Sequence, residues 1–353
     1  YLRLYGRLQS EGPPPERIVH LWAAHEAPPL SLDASPHSMD MGIRSIFFLA
    51  KALSAKGSGQ ECEILFFHPE DRGNPLVESV SGFGLSLGQA IPGVKLSTVR
   101  YQSDQPGVLS QCVRAELFTK RGREETEIAY SSGAGARSVR RLVPADMEGP
   151  APGRIREGGV YLIAGGLGAL GRLVAERLVL KYNARVALLG RSRPDGAGAA
   201  FLDGLRSRGA EIAYFRADVA DAEAVSRVVA ETQRRYGAIN GVFHAAGGIG
   251  ETPAPRMDFA DFAEGLKSKI SGTMILDRCT RNAPLDFFCL FSSISSYLGD
   301  FGQCSYAIGA RRQDAYACLR EKLRKNGERS GASISVNWGF WKDGGLHFDP
   351  ESE

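Results

Sequence analysis

Ser292 and Ser293 close the apolar run Asp286-Phe-Phe-Cys-Leu-Phe. Thirteen residues after Ser293 comes Tyr306, in Gly302-Gln-Cys-Ser-Tyr306-Ala-Ile-Gly, where a helix is expected to begin. A hydroxyl and a phenol at that spacing suit hydride chemistry. When a hydride reaches a ketone, negative charge appears on the oxygen, and a proton must arrive with it. A tyrosine can supply that proton, although an ordinary pKa of about 10 makes it a slow acid at neutral pH; a neighbouring cation lowers that value. A hydroxyl at the carbonyl orients and polarises the oxygen. Taken alone, a Ser-Ser pair after a strand is an ordinary loop start, and a Tyr entering a helix is ordinary core. The dinucleotide-binding frame around them raises the reading.

That frame is the run Tyr161-Leu-Ile-Ala-Gly165-Gly-Leu-Gly-Ala-Leu-Gly171, an apolar strand that opens into a glycine turn and then into Arg172-Leu-Val-Ala-Glu-Arg-Leu-Val. Gly165, Gly166, Leu167, Gly168, Leu170 and Gly171 are the expected cofactor contacts here. Glycines permit the tight turn, the approach of backbone N–H groups to a pyrophosphate, and close packing of helix on strand, with the diphosphate at the positive helix end. The second strand, Ala184-Arg-Val-Ala-Leu-Leu, ends where NAD enzymes carry an acid for the ribose 2′-hydroxyl. Gly190 stands there instead, followed by Arg191, Ser192 and Arg193. Two guanidinium groups favour a 2′-phosphate, so the expected cofactor is NADPH. Asp218, before Val219, is placed to accept from the adenine amine, with a helix N-cap as its alternative. The stretch His244-Ala245-Ala246-Gly247 ends the fourth strand with small residues that allow close backbone approach to the cofactor; His244 itself reads as packed, not catalytic.

A chain of 353 residues fits two domains. With 43% hydrophobic and 24% charged residues it is an ordinary soluble composition, and a net charge of +3 argues for neither nucleic acid nor membrane. The six cysteines and six histidines form no metal-ligand spacing, and a reduced, cytoplasmic protein is expected. No signal peptide or spanning apolar run is present, and the start at Tyr1 without Met suggests a piece of a longer chain.

The expected class is α/β, with two Rossmann-like subdomains. Residues 1–145 read as a truncated, cofactor-free structural copy: strands at 17–22, 63–67 and 94–100, helices at 41–53 and 107–117, and a closing hairpin from 127–130 and 138–142. The loop Gly82-Phe-Gly-Leu-Ser-Leu-Gly lacks a P-loop lysine and reads as packing. Residues 146–157 form the linker. Residues 158–353 read as a doubly wound parallel sheet binding NADP(H), with strands at 160–163, 185–189, 211–215, 241–244, 287–291 and 333–337.

The stretch 158–345 resembles a short-chain dehydrogenase/reductase, and specifically the ketoreductase domain of modular polyketide synthases. The carrying motifs are Gly165-Gly-Leu-Gly-Ala-Leu-Gly171, Phe243-His-Ala-Ala-Gly, Phe291-Ser-Ser-Ile, Gly302-Gln-x-x-Tyr306-Ala and Val336-Asn-Trp338-Gly-Phe-Trp341. Residues 1–145 resemble the structural subdomain that precedes the catalytic one in these synthases. The resemblance implies Tyr306 as proton donor and Ser293 as carbonyl orienter. Lys269, in Lys269-Ile-Ser-Gly272-Thr-Met-Ile-Leu276, resembles the family's catalytic lysine; Lys267 competes on spacing alone. The implied reaction is NADPH-dependent reduction of the 3-keto group of a β-ketoacyl chain on an acyl carrier protein, among neighbouring synthase domains. The basic residues Arg311-Arg312 and Arg320-Glu-Lys-Leu-Arg-Lys would meet the acidic carrier or form a solvated helix face.

Four departures from the family stand out. Ala310 occupies the position, four residues after the tyrosine, where these ketoreductases carry Asn, and Arg311 is the candidate to take over the proton relay. Ala164 replaces a Thr before the glycines. Ile249-Gly250-Glu251 and Leu298 match neither stereochemical fingerprint, and the chain stops at Glu353, before the expected lid and final strand. The alternative functions are a catalytically silent scaffold, for which Ala310 would be a mark of decay, and a free-standing carbonyl reductase.

Overall fold

The structure is a computed structural model of the 353-residue chain. It describes all residues except 25–38, 56–60, 71–74, 103–106, 123, 132–135, 147–152, 249–255, 301–303 and 342–353. Half of the expected linker (147–152), the triplet Ile249-Gly250-Glu251, Gly302 and Gln303 of the tyrosine motif, and the chain's end therefore lie outside the described residues.

The chain divides into two compact units, and less simply than a single boundary at 146–157 implies. One unit comprises 1–147 with 250–264 and 294–315; the other comprises 148–249, 265–293 and 316–353.

In the first unit, α1 (Leu2–Glu11) precedes β1 (Arg17–His20). A π-helical turn (Asp40–Arg44) leads into α2 (Ser45–Ser54), then β2 (Cys62–Pro69), α3 (Pro75–Glu78), α4 (Val80–Ala90), β3 (Val94–Tyr101), α5 (Val108–Phe118), β4 (Glu127–Tyr130) and β5 (Arg137–Val139). The strand order β1-β2-β3-β4-β5 advances in one direction, parallel until β5 folds back on β4. The Gly82 segment is the helix α4, not a loop. Its packing role stands: a Cβ on Gly82 would come 2.6 Å from the Ala307 carbonyl oxygen, and one on Gly84 would come 2.8 Å from Leu96. Helix α1 has no counterpart among the expected elements; it leaves Leu2, Leu4 and Leu8 exposed and buries Tyr5.

The second unit opens with β6 (Val160–Ala164) and α6 (Ala169–Tyr182), followed by β7 (Arg185–Gly190), α7 (Gly196–Arg206), β8 (Ile212–Arg216), α8 (Ala222–Tyr236) and β9 (Gly241–His244). Then come α9 (Phe259–Cys279), β10 (Phe287–Ser293), α10 (Ser295–Leu298), α11 (Cys304–Lys325) and β11 (Ala332–Trp338). Both α9 and α11 begin in the first unit and end in the second. The parallel order β11-β10-β9-β6-β7-β8 is the doubly wound one. β6 and β10 are buried at every position, as central parallel strands covered on both faces must be. Tyr161, Phe243 and Phe287 fill one face, with Phe243 and Phe287 meeting edge to face at 5.0 Å. Asn183 ends α6 in the left-handed region, a conformation Asn tolerates.

Three buried histidines make the fold acid-sensitive. Desolvation lowers His20 and His68 to about 4 and His244 to about 3, with Arg100 contributing at His68 and Lys269 at His244. Each is neutral when folded and takes up a proton on unfolding. Its contribution is complete above the ordinary value of 6.5 and is lost as pH falls from there towards 3 to 4. Denaturant titrations from pH 7 to 5 should show stability falling by about 1.4 kcal/mol per pH unit for each histidine in the transition. A flat profile would mean that these rings are solvated.

Candidate active site

The chain reverses direction after β8 and returns to the far side of β6, so the C-terminal ends of β6 and β9 flank the switch point of the sheet. Parallel sheets open a binding crevice at such a point. Two of the expected cofactor motifs meet there. The Ala245 N–H donates to the Ala164 carbonyl at 2.8 Å, which draws the strand ends together. Gly165 has φ +77°, and a Cβ there would come 2.7 Å from the backbone of Ala245 and Ala246. At Gly171 a Cβ would collide with the Gly165 carbonyl and sit 2.9 Å from Gly166 Cα, so helix α6 presses directly on the turn. The turn itself closes by Gly168 N–H to Gly165 O at 3.0 Å. Gly168 caps α6 with no side-chain hydrogen bond, which leaves the helix's first N–H groups to an outside acceptor. A cradle that any Cβ would fill, beside an uncapped helix end, fits a dinucleotide diphosphate.

Arg191, Ser192 and Arg193 follow β7 and are exposed. The Ser192 carbonyl accepts from Tyr214 Oη at 2.5 Å, and the Arg191 carbonyl from Arg216 Nε at 3.1 Å, so the backbone under the two guanidinium groups is braced from β8. If Arg191 reads a 2′-phosphate, Arg191→Ala should weaken NADPH by about tenfold while leaving NADH unchanged, as loss of a charge-assisted hydrogen bond implies. Equal losses for the two cofactors, in side-by-side titrations, would remove that role. Asp218 is not the helix cap: its Oδ1 accepts from Ala220 N–H at 2.9 Å, and Asp221 caps α8 through Glu223 and Ala224. It remains exposed, beside the buried Val219.

His244 is fully buried at the end of β9, where its Nε2 meets the Ser268 carbonyl at 3.0 Å. Ala245 and Ala246 are half-buried, and Gly247 is exposed. Gly247 runs against the Lys269 stem, its Cβ position 3.0 Å from Lys269 Cε. Lys269 is buried and donates from Nζ to the Phe291 carbonyl at 2.8 Å, whereas Lys267 is exposed. Phe291 leads directly into Ser292 and Ser293, both buried at the end of β10. The unit thus brings the glycine turn, Ala245–Gly247, Lys269 and Ser293 to the same ends of adjacent strands. Asn337, within the Val336-Asn-Trp338 motif, belongs to the same group. Its Nδ2 donates to Ser293 O at 3.1 Å and faces Ser292 Oγ at 3.3 Å, holding the serine pair from β11. The pairing of β10 with β11, Ser292 opposite Asn337, carries that signal, and spacing alone does not reveal it.

Tyr306 stands half-buried in the first turn of α11, in the part of that helix that belongs to the first unit. Ala310 is fully buried on the same helix. The expectations for the basic residues that follow are overturned at Arg311, Arg312 and Arg320, whereas Lys322 and Lys325 are exposed as a solvated helix face requires. Arg311 and Arg312 are 5% and 1% exposed, and Arg320 is 1% exposed, so they form neither a carrier-docking surface nor a solvated face. Arg311 is held by Ser81 and Glu127, which commits its guanidinium elsewhere than a proton relay. Arg320 binds Asp277. Charge patterning cannot reveal such partners, because they lie far away in sequence.

Among the described residues no cluster could hold a metal ion, and no helix is long and apolar enough to cross a membrane. None of the six cysteines forms a disulfide, and Cys318 is exposed.

Residues 159–343 match the KR domain family, and residues 1–118 match the family described as beta-ketoacyl synthase-like, N-terminal. The chain is 36% identical over 275 residues to polyketide synthase PksM of Bacillus subtilis (strain 168), covering 78% of this chain and 6% of that protein. It is also 36% identical over 270 residues to polyketide synthase ThaG of Burkholderia thailandensis, covering 73% and 5%. The chain therefore spans only a small part of these curated relatives. Among solved structures, a ketoreductase domain from the bacillaene assembly line superposes with TM-score 0.81 at 30% identity, covering 93% of this chain and 77% of that one. An N-terminal ketoreductase from the macrolactin assembly line gives 0.81 at 25% identity, covering 98% and 69%.

Proposed function

This chain belongs to the KR domain family, and from that premise we propose that it reduces the 3-keto group of a β-ketoacyl chain tethered to an acyl carrier protein, giving the 3-hydroxyl. The observation that carries the reading is the buried Lys269 ammonium on the Phe291 carbonyl, two residues before Ser293, at the strand ends that also carry the glycine cradle. A buried cation beside a serine pair has little structural purpose in a sheet of this order; in a ketone-reducing site it stabilises developing negative charge.

NADPH, when bound, supplies the hydride. Gly165–Gly168 and the first N–H groups of α6 would hold its diphosphate, Arg191 and Arg193 its 2′-phosphate, and Ala245–Gly247 would leave its ribose close passage. Ser293 Oγ donates to the ketone oxygen and aligns it. The Tyr306 phenol delivers the proton to that oxygen. Lys269 favours the phenolate left behind, and its own place is set by the Phe291 carbonyl. The carrier and the neighbouring synthase domains belong to the same proposal.

The test is direct. Incubate the full chain with NADPH and either trans-1-decalone or a β-ketoacyl thioester, and follow the nicotinamide absorbance. Consumption of NADPH with appearance of the alcohol supports the reductase. The buried Ala310, which offers neither charge nor amide, favours the silent scaffold. NADPH binding with no turnover of either substrate would establish that second reading.

A further inference from the structure

We infer that Arg311, acting with Glu127 and Tyr297, is the positioning device for Tyr306. The inference rests on the ketone-reductase reading and gives a task to residues which that reading leaves unused. Between Ser293 and Tyr306, the described residues Leu298, Gly299 and Asp300 are tied to other elements of the first unit. Its helix α10 is held by Gln89 Nε2 on the Leu298 carbonyl at 3.1 Å. Gly299 passes so close to α4 that a Cβ would sit 2.7 Å from Leu85 C, and the Asp300 N–H donates to Ser86 Oγ at 3.1 Å.

Helix α11 is fixed on the same side. The Gly82 gap admits the Ala307 carbonyl, one residue past the phenol. One turn further, Arg311 donates from Nε to Ser81 Oγ at 3.0 Å and from a terminal nitrogen to Glu127 Oε2. Glu127 also binds Arg140 at 3.2 Å, and Arg140 donates to Tyr297 Oη at 2.9 Å. Both guanidinium groups lie over the Tyr297 ring, at 4.7 Å for Arg140 and 4.8 Å for Arg311. One carboxylate and one ring thus join the spacer helix α10, the tyrosine helix α11 and the hairpin β4–β5.

A guanidinium five residues after Tyr306 occupies a different helix face from the phenol, so Arg311 acts on the helix and not on the reacting oxygen. Its rigid fork is matched to a carboxylate and a ring together, which a lysine reproduces only in charge. A tilt of α11 displaces the phenol, and misplacement of about 1 Å is enough to slow a proton transfer severely.

The experiment compares Arg311→Met, Arg311→Lys and Glu127→Gln with Glu116→Gln in the full chain, using trans-1-decalone and NADPH. Glu116 is the control because it anchors a separate buried cluster of the same unit, with Arg121, Arg137 and Tyr130. Arg311→Met and Glu127→Gln are expected to lower kcat by about tenfold or more with KM and NADPH Kd within about twofold, as for a misaligned catalytic group. Arg311→Lys should recover part of the loss, and Glu116→Gln should lower Tm with kcat intact. Should Arg311→Met fail to fold, Glu127→Gln, which keeps an acceptor, decides the matter. Unchanged kcat in these variants, or losses that only track Tm as in Glu116→Gln, overturns the inference while leaving the reductase reading standing. A wild-type chain that binds NADPH without turnover overturns both.

Discussion

Tyr306→Phe should reduce ketone turnover by about 10²- to 10⁴-fold, the range that general acid catalysis supplies, while NADPH binding stays within error of the wild type. The phenol oxygen is the only part removed, and the ring continues to fill its half-buried place in the first turn of α11. The proposed cofactor cradle is built from β6, α6 and the end of β9, elements to which Tyr306 does not belong. The two measurements should therefore separate: stopped-flow or steady-state turnover collapses, and a fluorescence titration with NADPH does not move. Retained turnover would assign the proton to another group and sink the role of Tyr306. A parallel loss of NADPH affinity would instead mean that the phenol holds the cofactor.

The largest expected loss of stability lies at Asp277, eight residues beyond Lys269 on α9. Asp277 is 1% exposed and accepts from Arg320 Nε at 2.6 Å, Arg329 Nε at 2.9 Å and Tyr316 Oη at 2.9 Å. Arg320 is equally buried; it also donates to the Gly331 and Ser330 carbonyls and to Ser333 Oγ, and lies 4.6 Å over the Phe288 ring. Removal of the carboxylate in Asp277→Ala leaves two guanidinium groups inside the protein with no counter-charge from that site. The expected cost is about 3–5 kcal/mol, the usual penalty for breaking a buried pair from one side. Urea unfolding of the variant measures it directly. A loss under about 1 kcal/mol would mean that water or another acceptor reaches Arg320. Asp277→Asn, which keeps an acceptor oxygen, should fall between the two.

The same pair shows where reading residues in order succeeds and where it stops. All six strands of the second sheet are legible to within a residue or two, because each is a short apolar or, in β11, alternating run between turn residues. The glycine cradle is legible for the same reason: its geometry is local, one turn between one strand and one helix. Arg320 is the opposite case. As written it stands among basic residues and looks like a surface stripe, yet its partner is 43 residues away. Arg311 binds a carboxylate 184 residues away. No periodicity within a helix reports such partners. Asn337 meets the serine pair only because β11 lies in register beside β10.

By itself the sequence determined the α/β class, the order of elements, and the residue types that a nucleotide cradle and a hydride site require. These depend on short-range geometry: the pleat of a strand, the turn of a helix, the φ a glycine permits. Tertiary structure decided what the charges are for. It buried Arg311, Arg312 and Arg320, set Lys269 on the Phe291 carbonyl and left Lys267 in solvent. It also gathered 294–315, with Tyr306, into the unit of the first sheet. A buried charge is stable only where a distant partner repays its lost hydration, so its place depends on contacts that no neighbouring residue encodes.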